Sequence, residues 1–150
     1  MKYLLFFCFF TTSIYAKWSF KSDYGQTKIY ISENETRLTI NFVETEKKKK
    51  EVTKDLIESL KNDKKKMLAL MGVTNWKVTS QEIENKKGVS RVILTGSYTD
   101  TEGKKTYYKE FHFYSSIKKL QILLINSSKE KLEKDGVLTN ISNFKDNYGF

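Results

Sequence analysis

From Thr27 to Ser32 and from Arg37 to Val43 the pattern of apolar and polar residues is strand-like. Leu38, Ile40 and Phe42 stand against Thr39 and Asn41, and Glu33-Asn34-Glu35-Thr36 interrupts the alternation. A period of two on either side of a short polar link predicts a β-hairpin, Thr27 to Ser32 and Arg37 to Val43. Trp18 and Phe20, two apart before Tyr24-Gly25, predict an edge strand over Lys17 to Asp23.

The period then lengthens. Val52, Leu56, Ile57, Leu60, Met67, Leu68 and Met71 recur at spacings of three and four, which sets them on one side of a helix with most lysines opposite. Asp63 and Lys64 break this stripe, so a bend near Asn62-Asp63 is expected. Gly72 suits the C-terminal cap, and Lys64 to Lys66 suit the negative end of the helix dipole.

Four strand-like segments follow, Trp76 to Ile83, Val89 to Tyr98, Thr106 to Tyr114 and Lys119 to Ile125. Their connections are too short for parallel crossovers, so they form an antiparallel meander. In the third, Tyr107, Phe111 and Phe113 share one side, and Tyr108, His112 and Tyr114 the other. Leu120 to Ile125 is also apolar on both sides, and two apolar faces call for cover on both. A second helix is therefore expected, with a capping-box start at Ser127-Ser128-Lys129-Glu130 and an apolar stripe of Val137, Leu138, Ile141 and Phe144. The fold class is α+β: an antiparallel sheet, hairpin plus four-stranded meander, with a long helix on one face and a C-terminal helix on the other.

The segment MKYLLFFCFFTTSIYA has a different character. Lys2 precedes an apolar run from Tyr3 to Phe10, then Thr11 to Ser13 and a small residue, Ala16. This is the pattern of a cleavable export signal spanning residues 1–16, with cleavage between Ala16 and Lys17. The apolar run is well short of the roughly 20 residues a spanning helix needs. Residues 17–150 then form one globular domain in the periplasm or outside the cell, without a transmembrane anchor. Cleavage removes Cys8, the only cysteine, and with it disulfides, thiolate nucleophiles and cysteine metal sites.

The order of elements resembles the PsbP/DcrB-like α/β/α sandwich families. The resemblance rests on Gly96-Ser97-Tyr98, the hydrophilic turn Asp100 to Lys105, Tyr107 to Tyr114, Leu120 to Ile125, and Ser127 to Phe144. It implies a non-enzymatic accessory or binding domain. It transfers no functional residue, since no motif matches position by position.

Composition narrows the chemistry. Hydrophobic residues at 39% and aromatic residues at 14% are too abundant for a disordered chain. With one histidine, His112, a multi-histidine metal site and a two-imidazole acid–base mechanism are excluded. No metal or cofactor is expected. Glu110 lies two residues from His112, so both project from one strand face and can act as a carboxylate–imidazole pair in a small hydrolase or transferase. A polar pair satisfying itself beneath a helix fits the same spacing. Asp100, Glu102 and Gly103 lack the further ligands of a calcium loop and read as a hairpin turn.

The formal charge is +9. Lysines cluster at Lys47, Lys48, Lys49 and Lys50, at Lys64, Lys65 and Lys66, and at Lys104 and Lys105, a basic surface suited to an acidic envelope protein, an anionic polymer or lipid headgroups. Lys104, Lys105 and Lys109 interleave with Tyr107 and Tyr108, as in single-strand nucleic-acid binding. The intermixed acidic residues disfavour nucleic acid. The leading expectation is an exported, non-catalytic accessory or binding protein. The alternatives are the His112/Glu110 enzyme and a carrier holding a small apolar ligand between the aromatic meander and the first helix.

Overall fold

The computed structural model describes residues 18–44, 52–86, 89–114 and 118–135. Seven strands and two helices occur among them: β1 (Trp18–Tyr24), β2 (Thr27–Ser32), β3 (Arg37–Glu44), α1 (Lys54–Leu70), β4 (Thr74–Lys86), β5 (Val89–Thr99), β6 (Lys105–Tyr114), β7 (Lys118–Asn126) and α2 (Lys129–Asp135). All strands join one antiparallel sheet in the order β1-β2-β3-β7-β6-β5-β4. The hairpin and the meander each form from local alternation. Their union is long-range: β3 pairs with β7 along its whole length, from Arg37 opposite Ile125 to Glu44 opposite Lys118.

α1 begins at Thr53, whose side chain accepts a hydrogen bond from the Leu56 amide. It ends in a Schellman motif, in which Val73 N–H donates to the Leu68 carbonyl at 2.9 Å and Gly72 N–H to that of Ala69 at 3.1 Å. Gly72, at φ +74°, supplies the left-handed residue this cap requires. Two expectations are corrected. The helix runs without a break through Asn62-Asp63, and its last turn carries no basic residue. The reason is that Lys64 does not interrupt the inner stripe but belongs to it, with a buried partner described below.

α2 starts where the capping pattern places it, with Lys131 N–H donating to Ser128 Oγ at 3.3 Å. Its last residue, Asp135, is buried and accepts from Ser32 Oγ at 2.6 Å and Asn34 Nδ2 at 2.8 Å, tying the helix to the β2–β3 turn. The apolar stripe of Val137, Leu138, Ile141 and Phe144 lies outside the described residues, as do residues 1–17 with the expected cleavage site.

Alternation sorts the core into two clusters. Leu38, Ile40, Ile93, Phe111, Phe113, Leu120, Ile122 and Leu124 pack together with Leu132 of α2. Val92, Leu94, Tyr108 and Tyr114 pack with Val52 and with Ile57 of α1. Both faces of β5, β6 and β7 are thus buried, as their two-sided apolar sequences require.

Gly96 of β5 stands directly opposite Tyr108 of β6. The Tyr108 ring lies across it and its hydroxyl donates to the Lys77 carbonyl of β4 at 3.3 Å, while Trp76 stacks on the ring at 6.5 Å. A methyl group at position 96 would stand 2.0 Å from that carbonyl oxygen and 2.6 Å from the hydroxyl. Gly96→Ala should therefore cost about 1–3 kcal/mol, the range for overpacking a core, read as a lower urea midpoint. An unchanged midpoint would show that β4 yields freely at this crossing.

Candidate functional site: a buried carboxylate and a lysine-rimmed groove

β6 presents Tyr108, Glu110, His112 and Tyr114 to one face. Glu110 is 1% exposed and His112 4%. His112 Nε2 lies 3.0 Å from Glu110 Oε1, so the pair expected from the spacing is in contact. Two partners were not evident from sequence. Gln121 of β7, paired across the strands with His112, donates from Nε2 to Glu110 Oε1. Lys64 of α1 places Nζ on Glu110 Oε2 and lies 5.3 Å from the Tyr108 ring centroid. The one available signal was paired: a lysine on the apolar stripe of a helix and a glutamate on a covered strand face each need an opposite charge.

The hydrogen bonds continue across the sheet. Asn41 of β3 reaches Gln121 at 3.5 Å and receives the Thr27 hydroxyl of β2 at 2.8 Å. Leu94 and Leu123 stand opposite Glu110 on the two neighbouring strands. Burial among them raises its pKa, but the hydrogen bond from His112 and the charge of Lys64 outweigh burial, leaving the carboxyl lowered to about 2. Burial, then the Glu110 charge, pushes the Tyr114 hydroxyl up to about 12, and the same two causes raise that of Tyr108. The arrangement can hold a carboxylate ionised inside the protein. Its groups face one another, and neither groove described below is lined by Glu110 or His112.

The basic clusters meet different fates. The Lys64 side chain, 13% exposed, is withdrawn into this contact, which corrects its expected place on the surface. Lys65, Lys66, Lys104 and Lys105 are exposed, and Lys47, Lys48, Lys49 and Lys50 lie outside the described residues. Tyr108 is wholly buried and offers no ring for base stacking.

Lys105 instead joins a groove of about 440 Å³ between β4, β5, β6 and α2. Lys77, Lys105, Lys109 and Lys129 surround it, with Thr79, Thr95, Ser97, Tyr107 and Leu132 between them. Its acidic lining residue, Glu133, is 3.6 Å from Lys129. Lys105 Nζ sits 5.1 Å from the Tyr107 ring centroid and Lys109 Nζ 5.4 Å from that of Phe111, so aromatic rings on the same strand face support both ammonium groups. A shallower hollow of about 530 Å³ adjoins it, sharing Lys77, Ser97 and Lys105 and adding Trp76 and Tyr98. Lys77 and Lys129 were invisible as partners in the sequence, because 52 positions separate residues that the sheet order and α2 bring together. The turn at Asp100 uses its own carboxylate internally, Oδ1 accepting from the amides of Glu102 at 3.0 Å and Lys104 at 2.8 Å. No protein-family model and no curated protein matches this chain.

Glu110 predicts an acid response. Its folded pKa lies below the ordinary 4.5, so its stabilisation is present above about pH 4.5 and is lost as pH falls towards 2. Glu110→Gln leaves the Lys64 ammonium facing a neutral amide, and should cost about 3 kcal/mol at neutral pH, the lower end for breaking a buried pair. Urea unfolding across pH should show the two proteins converging in acid. A constant difference down to pH 2 would mean that the carboxylate is not the source.

Proposed function

We propose that this chain is an exported, non-catalytic binding protein whose lysine-rimmed groove takes an extended anionic polymer. The observation that carries the reading is the convergence of Lys77, Lys105, Lys109 and Lys129, from three strands or helices remote in sequence, on one concavity with little opposing charge. Lysines dispersed for solubility would face outward singly. Here they border hydroxyl groups and the Tyr107 ring, which suit a polar chain carrying acidic groups. The wider reading is an α/β/α sandwich of PsbP/DcrB-like type, with α1 over the Tyr108 face and α2 over the Phe111 face. It is supported by the packing of Ile57 in one core cluster and Leu132 in the other. Burial of His112 and Glu110 in mutual contact favours a structural role over an enzymatic one.

The groove is tested with dextran sulfate against neutral dextran. Binding to the sulfated polymer alone, weakened by salt, is expected, because exposed charges more than about 8–10 Å apart are screened at physiological ionic strength. Lys77→Glu with Lys109→Glu should weaken it at least about tenfold, the equivalent of about 1.4 kcal/mol, with thermal stability nearly unchanged. Equal binding by the variant would refute the groove. Export is tested separately by N-terminal sequencing of protein recovered from its source, which should begin at Lys17. A mature protein retaining Met1 would end the export reading.

A further inference from the structure

The end of α1 carries apolar residues where solvent should be. Leu70 is 90% exposed, Met71 60% and Met67 52%. Met67 and Met71, expected on the inner stripe, are thereby corrected: with Leu70 they lie off the line of Ile57, Lys64 and Leu68, so burying the helix does not account for them. The Schellman cap holds them in place by ending the helix at this point rather than letting it fray.

Lysines occur on both segments that meet near this tip. Lys65 and Lys66 are exposed in the preceding turn of α1. Gly72, just beyond the tip, faces Thr101 of the β5–β6 turn, since a side-chain carbon on Gly72 would contact Thr101 Cγ2 at 3.2 Å. That turn carries the exposed Lys104. A lysine pair on α1 and a turn carrying a further lysine, far apart in sequence, therefore meet near one apolar projection. Asp63, Asp100 and Glu102 lie on the same two segments and offset this local charge, so attraction to an anionic surface rests on the overall formal charge of +9.

We propose that the α1 tip is a docking element for an anionic bilayer surface: Leu70, Met71 and Met67 enter the boundary between headgroups and acyl chains while Lys65, Lys66 and Lys104 contact acidic headgroups. The overall charge of +9 selects this partner. Each lysine near an anionic leaflet contributes about 1 kcal/mol, and a short apolar projection adds partitioning that a neutral surface alone would not sustain. Size argues against a protein partner, since three side chains fall well short of the about 800 Å² each partner commonly buries. Unbranched, flexible methionine side chains suit a fluid acyl layer. Among the described residues no helix is long and apolar enough to cross a membrane.

The test is co-sedimentation with mixed phosphatidylcholine–phosphatidylglycerol vesicles and with phosphatidylcholine alone. Binding only to the mixed vesicles, weakened by salt, is expected. Leu70→Ser with Met71→Ser should reduce it roughly tenfold, as should Lys65→Glu with Lys66→Glu, each about 1.4 kcal/mol. These side chains are exposed, so unfolding is not the expected cause, and unchanged thermal midpoints check this. Met67 and Met71 should also be protected by the mixed vesicles from oxidation by hydrogen peroxide, a readout independent of affinity. The groove variant Lys77→Glu/Lys109→Glu should bind vesicles normally, which separates this surface from the polymer groove. Equal binding to neutral vesicles, undiminished binding by the serine variant, or unprotected methionines would overturn the proposal. So would self-association of the parent protein that the serine variant abolishes, which would make the tip a contact between copies.

Discussion

An ionised carboxylate sealed inside the protein sets the terms for much of this structure. Glu110 lies between Leu94 and Leu123 on adjacent strands, where an unpaired charge would be prohibitively costly, so its partners must be in place together. They come from three directions: Lys64 from α1, His112 from the same strand and Gln121 from β7. Each contact constrains a different degree of freedom. Lys64 fixes the rotation of α1 against the sheet, and Gln121 fixes the register of β7 against β6. Slipping that register by one residue would turn Gln121 away and replace it with an apolar neighbour. Apolar packing alone would tolerate more arrangements of Leu120 to Ile125, because that run is hydrophobic on both faces.

The row from Glu110 through Gln121 and Asn41 to Thr27 extends this constraint to β2. It crosses the β3–β7 boundary, where the hairpin meets the meander. At the far end of that boundary Asn126 donates to the Asn34 carbonyl and to the Thr36 hydroxyl, both at 2.9 Å. Asp135 then clamps the same turn from α2. The seam between the two locally formed units is thus specified by polar contacts at two levels, while the bulk of the burial comes from apolar residues that are less selective about partners.

What the sequence disclosed follows from this division. Alternation and three-to-four spacing are local, so the hairpin, α1, the meander strands and the start of α2 were legible within a few residues. Ser128 and Gly72 were legible as caps because capping is also local. The β3–β7 pairing was not, since no local pattern says which strand neighbours which. Lys64 was misread as a break and a surface charge because its partner lies 46 positions away. The groove was half legible: Lys105 and Lys109 stand two apart on one strand, whereas Lys77 and Lys129 enter through the sheet order and the path of α2.

Charge in this protein consequently divides by geometry rather than by residue type. Lys64 and Lys65 are adjacent in the chain, yet one is fixed to a buried carboxylate and the other is open to solvent. An ammonium already neutralised by Glu110 adds little to the outer field, and a carboxylate that accepts at both oxygens inside the protein lies away from both grooves. Among the described residues the lysines around the groove have no buried carboxylate partner, and the approach of Lys129 to Glu133 is long and exposed, worth little in water. Desolvation works in the same direction, since an exposed ammonium can meet an anion without the burial cost that Lys64 required. Among the described residues the buried Lys64–Glu110 contact is therefore withdrawn from any partner, and the proposed binding rests instead on charges that the fold gathers at its surface.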